Sequence, residues 1–274
     1  MSDLAPPAPL PGMHPRPGAH PRPVMPLRDT WVMIGRNVRL TRRTLDALIM
    51  SLALPVMLLL MFVYLFGGAI APDGTYVTYV VPGVILLCAG FASAQTAVSV
   101  AQDMRGGIID RLSSLDVSPT AQIGGHVAAS VLRNVVATVM VIGVAVAIGF
   151  RPHATVVDWL AAAGILLAFM LAISWLAAAF GLLAGEPEAA AGFSFFVSFL
   201  PYPSSAFVPV TTISPAWLRS FAEHQPITPI NESVRGLLLD GPVGSNAWQA
   251  LLWCAAILAI SVAASAWLFR RRRS

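Results

Sequence analysis

Uncharged apolar runs of about 20 residues recur along this sequence, the first at 47–67 and the last at 247–269. An α-helix rises 1.5 Å per residue, so about 20 residues cross a hydrocarbon layer roughly 30 Å thick. Only 11% of the residues are charged, against about a quarter in an ordinary soluble domain. The sequence therefore excludes a water-soluble globular enzyme and predicts an all-α membrane protein.

Six such runs predict six transmembrane helices, with bounds near 47–67, 78–101, 127–150, 159–183, 190–210 and 247–269. Arginines close to the ends of membrane helices favour the cytoplasmic side. They gather before the first run, between the second and third, and after the last, as Arg28, Arg36, Arg39, Arg42, Arg43, Arg105, Arg111 and Arg270 to Arg273. We therefore expect a multi-pass protein of the plasma membrane with both termini in the cytoplasm.

The N-terminal region divides into a tail and an interfacial segment. Residues 1–26 carry nine prolines and few large apolar side chains, which predicts a disordered cytoplasmic tail, and Met25 is an alternative start to Met1. Residues 27–273 then form one transmembrane domain. Within 28–43, Trp31, Ile34 and Val38 share a helix face opposite the arginines, which predicts an amphipathic helix on the membrane surface. A plain basic flank is the alternative.

Several kinds of chemistry lack the residues they need. The chain has no lysine, so it cannot supply a P-loop, and we predict neither a bound cofactor nor a catalytic residue. Two distant cysteines and five scattered histidines give no metal-ligand spacing. The arginines flank apolar runs, which indicates topology rather than nucleic-acid binding. Ionisable residues are almost absent from the predicted spans, Arg133 near a boundary being the exception, which argues against an ion-coupled transporter.

The long connection from Gln102 to His126 has a pattern of its own. Ile108, Leu112 and Leu115 recur at helical spacing among alternating charges. This pattern predicts a short amphipathic helix that docks a partner on the cytoplasmic side. A loop helix packed on its own membrane domain fits the pattern equally well.

The fifth run contains Pro201, Pro203 and Pro209 among phenylalanines. Proline has no amide hydrogen, so the helix must break, and the freed backbone groups need new partners. We therefore assign a candidate substrate path to this run, at Phe196, Phe199, Pro201, Ser204 and Ser205. The alternative is that the prolines end the helix before an external re-entrant hairpin.

The external connection from Thr211 to Asn246 predicts short amphipathic helices lying on the membrane as a lid, with apolar faces at Trp217, Leu218, Phe221, Val234, Leu237, Leu238 and Leu239. We interpret its charged residues, Arg219, Glu223, Glu232 and Arg235, as solvated or paired surface charges.

Two stretches resemble a known family. The run from Asp103 through Pro119, with glycine before I-x-D-R-L, resembles the loop between spans two and three of type-2 ABC exporter permeases, in the daunorubicin-resistance-like branch. The region after span five is similar too, in its serine pair and its P-x-W-L, P-I-T and R-G-L-L elements. The chain departs from that branch at Asp116, where proline is common, and at His126, where arginine is usual.

The resemblance implies a permease subunit that pairs with a second copy or a paralogue and is driven by a dimer of separate ATPase subunits. The ATPase-coupling residues would be Asp103, Arg105, Gly107, Asp110, Arg111 and Leu112, with Glu186 and Glu188 near the same surface. The cargo would be a hydrophobic or amphipathic, drug-like or antibiotic-like compound, in a protein that contacts membrane lipid and no nucleic acid.

Other functions remain open on the sequence. Other type-2 ABC permeases export lipid-linked glycans or polymer precursors, and the apolar spans do not separate that cargo from a drug. A non-transporting membrane scaffold is the alternative from another class. An intramembrane enzyme would need converging polar groups, which the sequence does not offer.

Overall fold

The computed structural model describes residues 45–70, 75–106 and 119–273. Every regular element in these ranges is helical. In chain order they are α1 (Leu45–Met61), α2 (Tyr76–Arg105), α3 (Pro119–Ala147), α4 (Val156–Ala184), α5 (Pro187–Phe199), α6 (Ala216–His224), α7 (Ile227–Leu238) and α8 (Asn246–Arg273). A π-helical turn, Phe62–Phe66, and a last turn, Gly67–Ile70, continue α1, and a 3-10 turn, Val210–Thr212, precedes α6.

Five helical stretches are long and apolar enough to cross a membrane: Ala53–Ile70, Tyr76–Arg105, Ile123–Ala147, Val156–Ala184 and Asn246–Leu268. They overlap the predicted spans 47–67, 78–101, 127–150, 159–183 and 247–269. The all-α membrane class is therefore confirmed. The predicted tail at 1–26, the amphipathic helix at 28–43 and the loop helix around Ile108 to Leu115 lie outside the described residues.

The predicted span 190–210 is not one continuous helix. Helix α5 has 13 residues and ends at Phe199, so at 1.5 Å per residue it reaches only about 20 Å. Pro201 and Pro203 follow immediately in a series of turns. Neither proline can donate the backbone hydrogen bond that would continue the helix, so the predicted break is confirmed.

Helices α2 and α4 form the centre of the bundle. α2 contacts α1, α3, α4, α5 and α7, and α4 also contacts α3, α5, α7 and α8. The apolar stretches of α2 and α4 are 78% and 67% buried, whereas those of α1 and α8 are 17% buried. The peripheral helices α1 and α8 therefore present apolar side chains such as Met57 and Ile260 away from the bundle, as helices facing lipid do.

Small residues let the central helices approach closely. A methyl group added at Gly181 of α4 would collide with the Ala97 carbonyl of α2. Ala97, Ala101, Ala177 and Ala190 form a small buried cluster in the same region. Close backbone approach through small residues is the usual way in which membrane helices associate, because lipid is as apolar as leucine.

The ends of α4 are fixed by local hydrogen bonds. Thr155 and Asp158 form a capping box at its start, with the Asp158 amide 3.3 Å from Thr155 Oγ1. Gly185 ends the helix in the left-handed conformation, at φ 67°, and its amide donates to the Gly181 carbonyl. Only glycine adopts this conformation without strain, so the chain turns sharply into α5.

The chain from α5 onward runs antiparallel to α2. Ala190 lies near Ala97, a Cβ added at Gly90 would be 3.6 Å from the Ser198 Cα, and one at Gly83 would be 2.5 Å from the Ala206 carbonyl oxygen. The His153 amide donates a 3.1 Å bond to the Leu238 carbonyl, which joins the α3–α4 loop to the end of α7. This end of the bundle is the one opposite Arg105.

Replacement of Gly181 by alanine should destabilise the bundle, because the new methyl group overlaps the α2 backbone. We expect a loss of about 1–3 kcal/mol in the free energy of unfolding, measured as a lower melting midpoint of the detergent-purified chain. Gly164→Ala is the matched control on α4, where a Cβ meets open space. Equal melting of both variants would contradict the close contact.

Candidate functional site

One end of the bundle carries paired charges from the end of α2, the first half of α3 and the start of α5. The Asp103 carboxylate lies 3.1 Å from His126 Nε2, and both side chains are largely buried. The Arg105 guanidinium lies 3.9 Å from the carboxylates of both Glu186 and Glu188, in an exposed cluster. We call these five residues the coupling end. Glu186 and Glu188 therefore lie beside Arg105, as expected.

The coupling end includes two of the six expected ATPase-coupling residues, Asp103 and Arg105. The other four, Gly107, Asp110, Arg111 and Leu112, lie outside the described residues. His126 stands where arginine is usual in the family branch, and it still contacts an acidic partner. The ion pairs of Arg105 are exposed and therefore contribute little to stability, which leaves these charges available to other contacts.

A polar network crosses the interior of the bundle. Ser174 Oγ donates to Ser130 Oγ at 2.9 Å and lies 3.3 Å from Ser93 Oγ, which accepts from Asn134 at 3.2 Å. All four side chains are buried. The network joins α2, α3 and α4 by hydrogen bonds where lipid and water supply none.

Helix α3, which carries Arg133, is longer than the predicted span. It starts at Pro119, about four turns before Arg133 and eight residues before the predicted span bound of 127. The Arg133 guanidinium donates a 3.0 Å bond to Thr96 Oγ1 of α2. An ionisable residue within a membrane helix is a candidate functional residue. The signal for the earlier start was Pro119, because proline favours the first turn of a helix.

Residues 200–209, here called the outer turn, have carbonyl groups without helical partners. Side chains supply the missing donors. Ser204 Oγ donates to the Pro201 carbonyl at 2.5 Å, and Tyr76 Oη donates to the Phe207 carbonyl at 3.0 Å. The Gln225 side chain donates through Nε2 to the Pro203 carbonyl. The predicted need of the broken helix for new partners is therefore confirmed.

The Ser205 carbonyl is the centre of the outer turn. It accepts from Tyr79 Oη at 2.9 Å, from Asn231 Nδ2 at 3.1 Å and from Arg235 at 2.7 Å. Tyr79 belongs to α2, whereas Asn231 and Arg235 belong to α7. One carbonyl oxygen thus ties the outer turn to two helices.

Arg235 is more than a surface charge. Its side chain is 11% exposed and forms a 2.5 Å ion pair with Glu232. The same guanidinium donates to the Tyr79 carbonyl at 3.2 Å and lies 3.7 Å from the centre of the Tyr79 ring. The expectation of a paired charge is confirmed by Glu232, but the expectation of a solvated surface position is wrong.

A signal for this arrangement was present in the sequence. Thr228, Asn231 and Arg235 are spaced three and four residues apart, which places them on one face of a helix. Thr228 Oγ1 accepts from the Ser205 amide at 3.4 Å. This polar stripe of α7, in addition to its leucines, indicates the face that holds the outer turn.

The five residues assigned to a substrate path divide into two groups. Pro201, Ser204 and Ser205 are buried and held by hydrogen bonds within the outer turn. Phe196 and Phe199 project from α5 and are 68% and 48% exposed. The structure therefore places the serines inside the protein and the phenylalanines on its surface.

Six aromatic rings form a continuous series, here called the aromatic ladder. Its members are Phe195, Phe199, Tyr202, Phe207, Phe62 and Phe66, with successive ring centroids 4.4, 5.3, 5.2, 4.3 and 5.6 Å apart. The ladder runs from the exposed face of α5, through the outer turn, to the π-helical turn of the first span. It offers an apolar, polarisable strip across three elements.

The two predicted external helices exist, in different surroundings. α6 exposes Trp217 and Phe221, which agrees with an amphipathic helix. α7 instead buries Ile230, Val234 and Leu238 against α2, α4 and α8. A position of α7 on the membrane surface is therefore wrong, because its apolar side chains complete the core of the bundle.

Among the residues that the structure describes, no group of three His, Cys, Asp or Glu side chains could hold a metal ion. Around the outer turn, Tyr76, Tyr79 and Arg235 donate to backbone carbonyls. These bonds anchor the outer turn beside an exposed aromatic strip.

Comparison with known proteins identifies relatives across most of the chain. Residues 28–239 match the ABC-2 type transporter family. The daunorubicin resistance ABC transporter permease protein DrrB1 of Streptomyces coeruleorubidus is 32% identical over 188 residues, which cover 68% of this chain and 66% of that protein, just under two thirds. The probable doxorubicin resistance ABC transporter permease protein DrrC of Mycobacterium tuberculosis is 23% identical over 243 residues, or 87% and 88% of the two chains.

The Tyr76 hydroxyl should be required to hold the outer turn. Tyr76→Phe leaves the buried Phe207 carbonyl without its donor, which should cost about 1–3 kcal/mol in the free energy of unfolding, measured as a lower melting midpoint in detergent. Tyr64→Phe is the control, because Tyr64 is 72% exposed and should melt as the parent chain does. Unchanged melting of Tyr76→Phe would contradict the assigned bond.

Proposed function

The chain belongs to the ABC-2 type transporter family, and we therefore propose that it is the permease subunit of an ATP-driven exporter. Its cargo is a hydrophobic or amphipathic, drug-like compound that it moves outward across the plasma membrane. Its relatives are named for resistance to daunorubicin and doxorubicin, which makes compounds of this kind the first cargo to test.

The aromatic ladder supports an apolar cargo. Phe199 of the ladder and its neighbour Phe196 are exposed on α5. From Phe199 the ladder continues inward to Tyr202, and none of its members is a charged residue. Aromatic faces bind apolar and planar molecules by stacking and by burial of their surface. An exporter that takes its cargo from the lipid needs such a strip within reach of the bilayer.

The energy for transport comes from a partner. The chain has no lysine for a P-loop, so a dimer of ABC ATPase subunits binds and hydrolyses ATP. Its contact surface is the coupling end together with the adjoining loop, where Asp103, Arg105, Gly107, Asp110, Arg111 and Leu112 lie in sequence. The exposed charges of Arg105, Glu186 and Glu188 support a polar contact of this kind.

A second permease, either another copy or a paralogue, completes the transporter. The exposed phenylalanines of α5 give that partner a large apolar face to cover. The cargo path then runs between two chains, with one aromatic ladder on each side.

The sixth crossing is completed by α5 and the outer turn together. The antiparallel course of residues 187–207 along α2 supports this arrangement. Irregular backbone is tolerated at membrane depth where it is buried in protein, and the outer turn is buried. Six crossings place both termini on the same side of the membrane, and the arginines that flank the chain ends favour the cytoplasm.

Reconstitution tests the proposed function. Co-expression of the chain with an ABC ATPase subunit of its source organism should give ATP-dependent efflux of doxorubicin from cells, or its uptake into inverted vesicles. Asp110→Asn combined with Arg111→Gln should lower that efflux roughly tenfold, within the usual range for coupling between distant sites. Glu223→Gln is the control at an exposed position of α6. Efflux that persists without any ATPase would contradict the proposal.

The aromatic ladder should set the apparent affinity for cargo. Phe199→Ala removes a ring that contacts both Phe195 and Tyr202 and is expected to raise the KM of transport about threefold to tenfold, since an aromatic pair contributes about 0.5–1.5 kcal/mol beyond its area. The maximal rate should change less. Leu252→Ala, at an exposed apolar position of α8, serves as the control. An unchanged KM would show that the aromatic ladder does not contribute to cargo binding.

A further inference from the structure

We propose that Arg235 is a latch that holds the outer turn closed against α2, and that the latch opens when cargo leaves on the outer side. This inference rests on the proposed exporter function. It assigns a positioning role to Arg235 and to its partners Tyr79, Ser205 and Glu232.

The contacts of Arg235 join three separate segments. Its guanidinium donates to the Tyr79 carbonyl of α2 and to the Ser205 carbonyl of the outer turn, at 3.2 and 2.7 Å. It also pairs with Glu232 one turn earlier on α7. A single side chain therefore fixes α2, the outer turn and α7 relative to one another. Loss of this side chain removes the charged donor of the outer turn and leaves it held by neutral donors, Tyr79 Oη of α2 and Asn231 of α7.

Another arginine nearby shows what a purely local role looks like. Arg219 donates twice to the Ile213 carbonyl, at 3.0 and 2.9 Å. Both residues lie within a few positions of each other, so this contact fixes only the start of α6. Arg219 has the same charge and similar bonds, and it provides a matched comparison for Arg235.

The latch can open because its ion pair is partly exposed to solvent. Glu232 is 34% exposed, whereas Arg235 is 11% exposed. Water can therefore replace the arginine at Glu232 and begin to solvate the guanidinium as it leaves. The Ser205 carbonyl keeps Asn231 as a donor from α7, so the outer turn can move with α7 without losing every hydrogen bond.

Helix α2 connects the latch to the coupling end. Tyr79 and Arg105 lie on the same 30-residue helix, which is about 45 Å long. Pro82 lies one turn after Tyr79 and cannot donate a backbone bond, so the helix lacks one bond at this point. A displacement of α2 by the ATPase would draw the Tyr79 carbonyl away from Arg235 and leave Tyr76 Oη and Tyr79 Oη as the remaining donors from α2 to the outer turn.

Accessibility to a membrane-impermeant maleimide tests the latch. Ser204→Cys places a thiol in the outer turn at a position that is 0% exposed. In intact cells this thiol should react slowly in the parent chain and roughly tenfold faster with Arg235→Gln, because losing charge-assisted bonds shifts the balance toward the open turn. Arg219→Gln in the same background should leave labelling slow. Equal labelling with and without Arg235 would overturn the proposal.

A second buried thiol separates a latch from a general loss of folding. Ala250→Cys lies near the start of α8, on the same side of the bundle as the outer turn, is 0% exposed and should stay protected in the Arg235→Gln chain. Labelling at both positions would show that Arg235 stabilises the whole bundle, and the latch would be rejected. The chain with only Cys88 and Cys254, both buried, gives the background.

Nucleotide trapping separates failure of the latch from failure of the exporter. In a complex with its ATPase, ATP and vanadate should speed labelling of the Ser204→Cys thiol in the presence of Arg235. Slow labelling despite normal ATP-driven doxorubicin efflux would overturn the latch and leave the proposed function standing. Absence of that efflux in the parent complex would overturn the proposed function, whatever the labelling by Arg235→Gln.

Discussion

A backbone carbonyl buried away from water must find a hydrogen-bond donor, and the fold around residues 200–209 follows from that requirement. Prolines end α5 after 13 residues, so the next carbonyls have no helical partners. Tyrosines of α2 and polar side chains of α7 supply the donors. The position of α7 inside the bundle, the close contact at Gly83 and the burial of Ser204 and Ser205 all depend on this exchange.

The five long helices could be predicted from the sequence because hydrophobic length alone decides them. Runs such as 159–183 carry no proline or glycine pair that would interrupt a helix, and Val156–Ala184 matches closely. The broken span was also predictable in principle, since Pro201 and Pro203 forbid helical bonding. The course of the chain after the break was not predictable. It depends on residues more than 20 and more than 120 positions away, such as Gln225 and Tyr76.

The candidate site divides in the same way. Local patterns marked Asp103, Arg105, Phe196 and Phe199, all of which occupy helix ends or exposed faces. Arg235 was misread because its charge suggested water, whereas its burial results from carbonyls that only the folded chain brings together. The helix that carries Arg133 begins eight residues before the predicted span bound of 127, because hydrophobic length does not report the part of a helix that extends beyond its apolar run.

The two ends of the bundle differ in what their contacts require of each partner. At one end the contacts join charged side chains, so each depends on the identity of two residues. At the other end side chains such as Tyr76 and Arg235 donate to backbone carbonyls, so each contact depends on the identity of the donor alone. Every residue has a carbonyl group, so the accepting positions Phe207 and Ser205 can vary without loss of these bonds as long as the donors on α2 and α7 are retained.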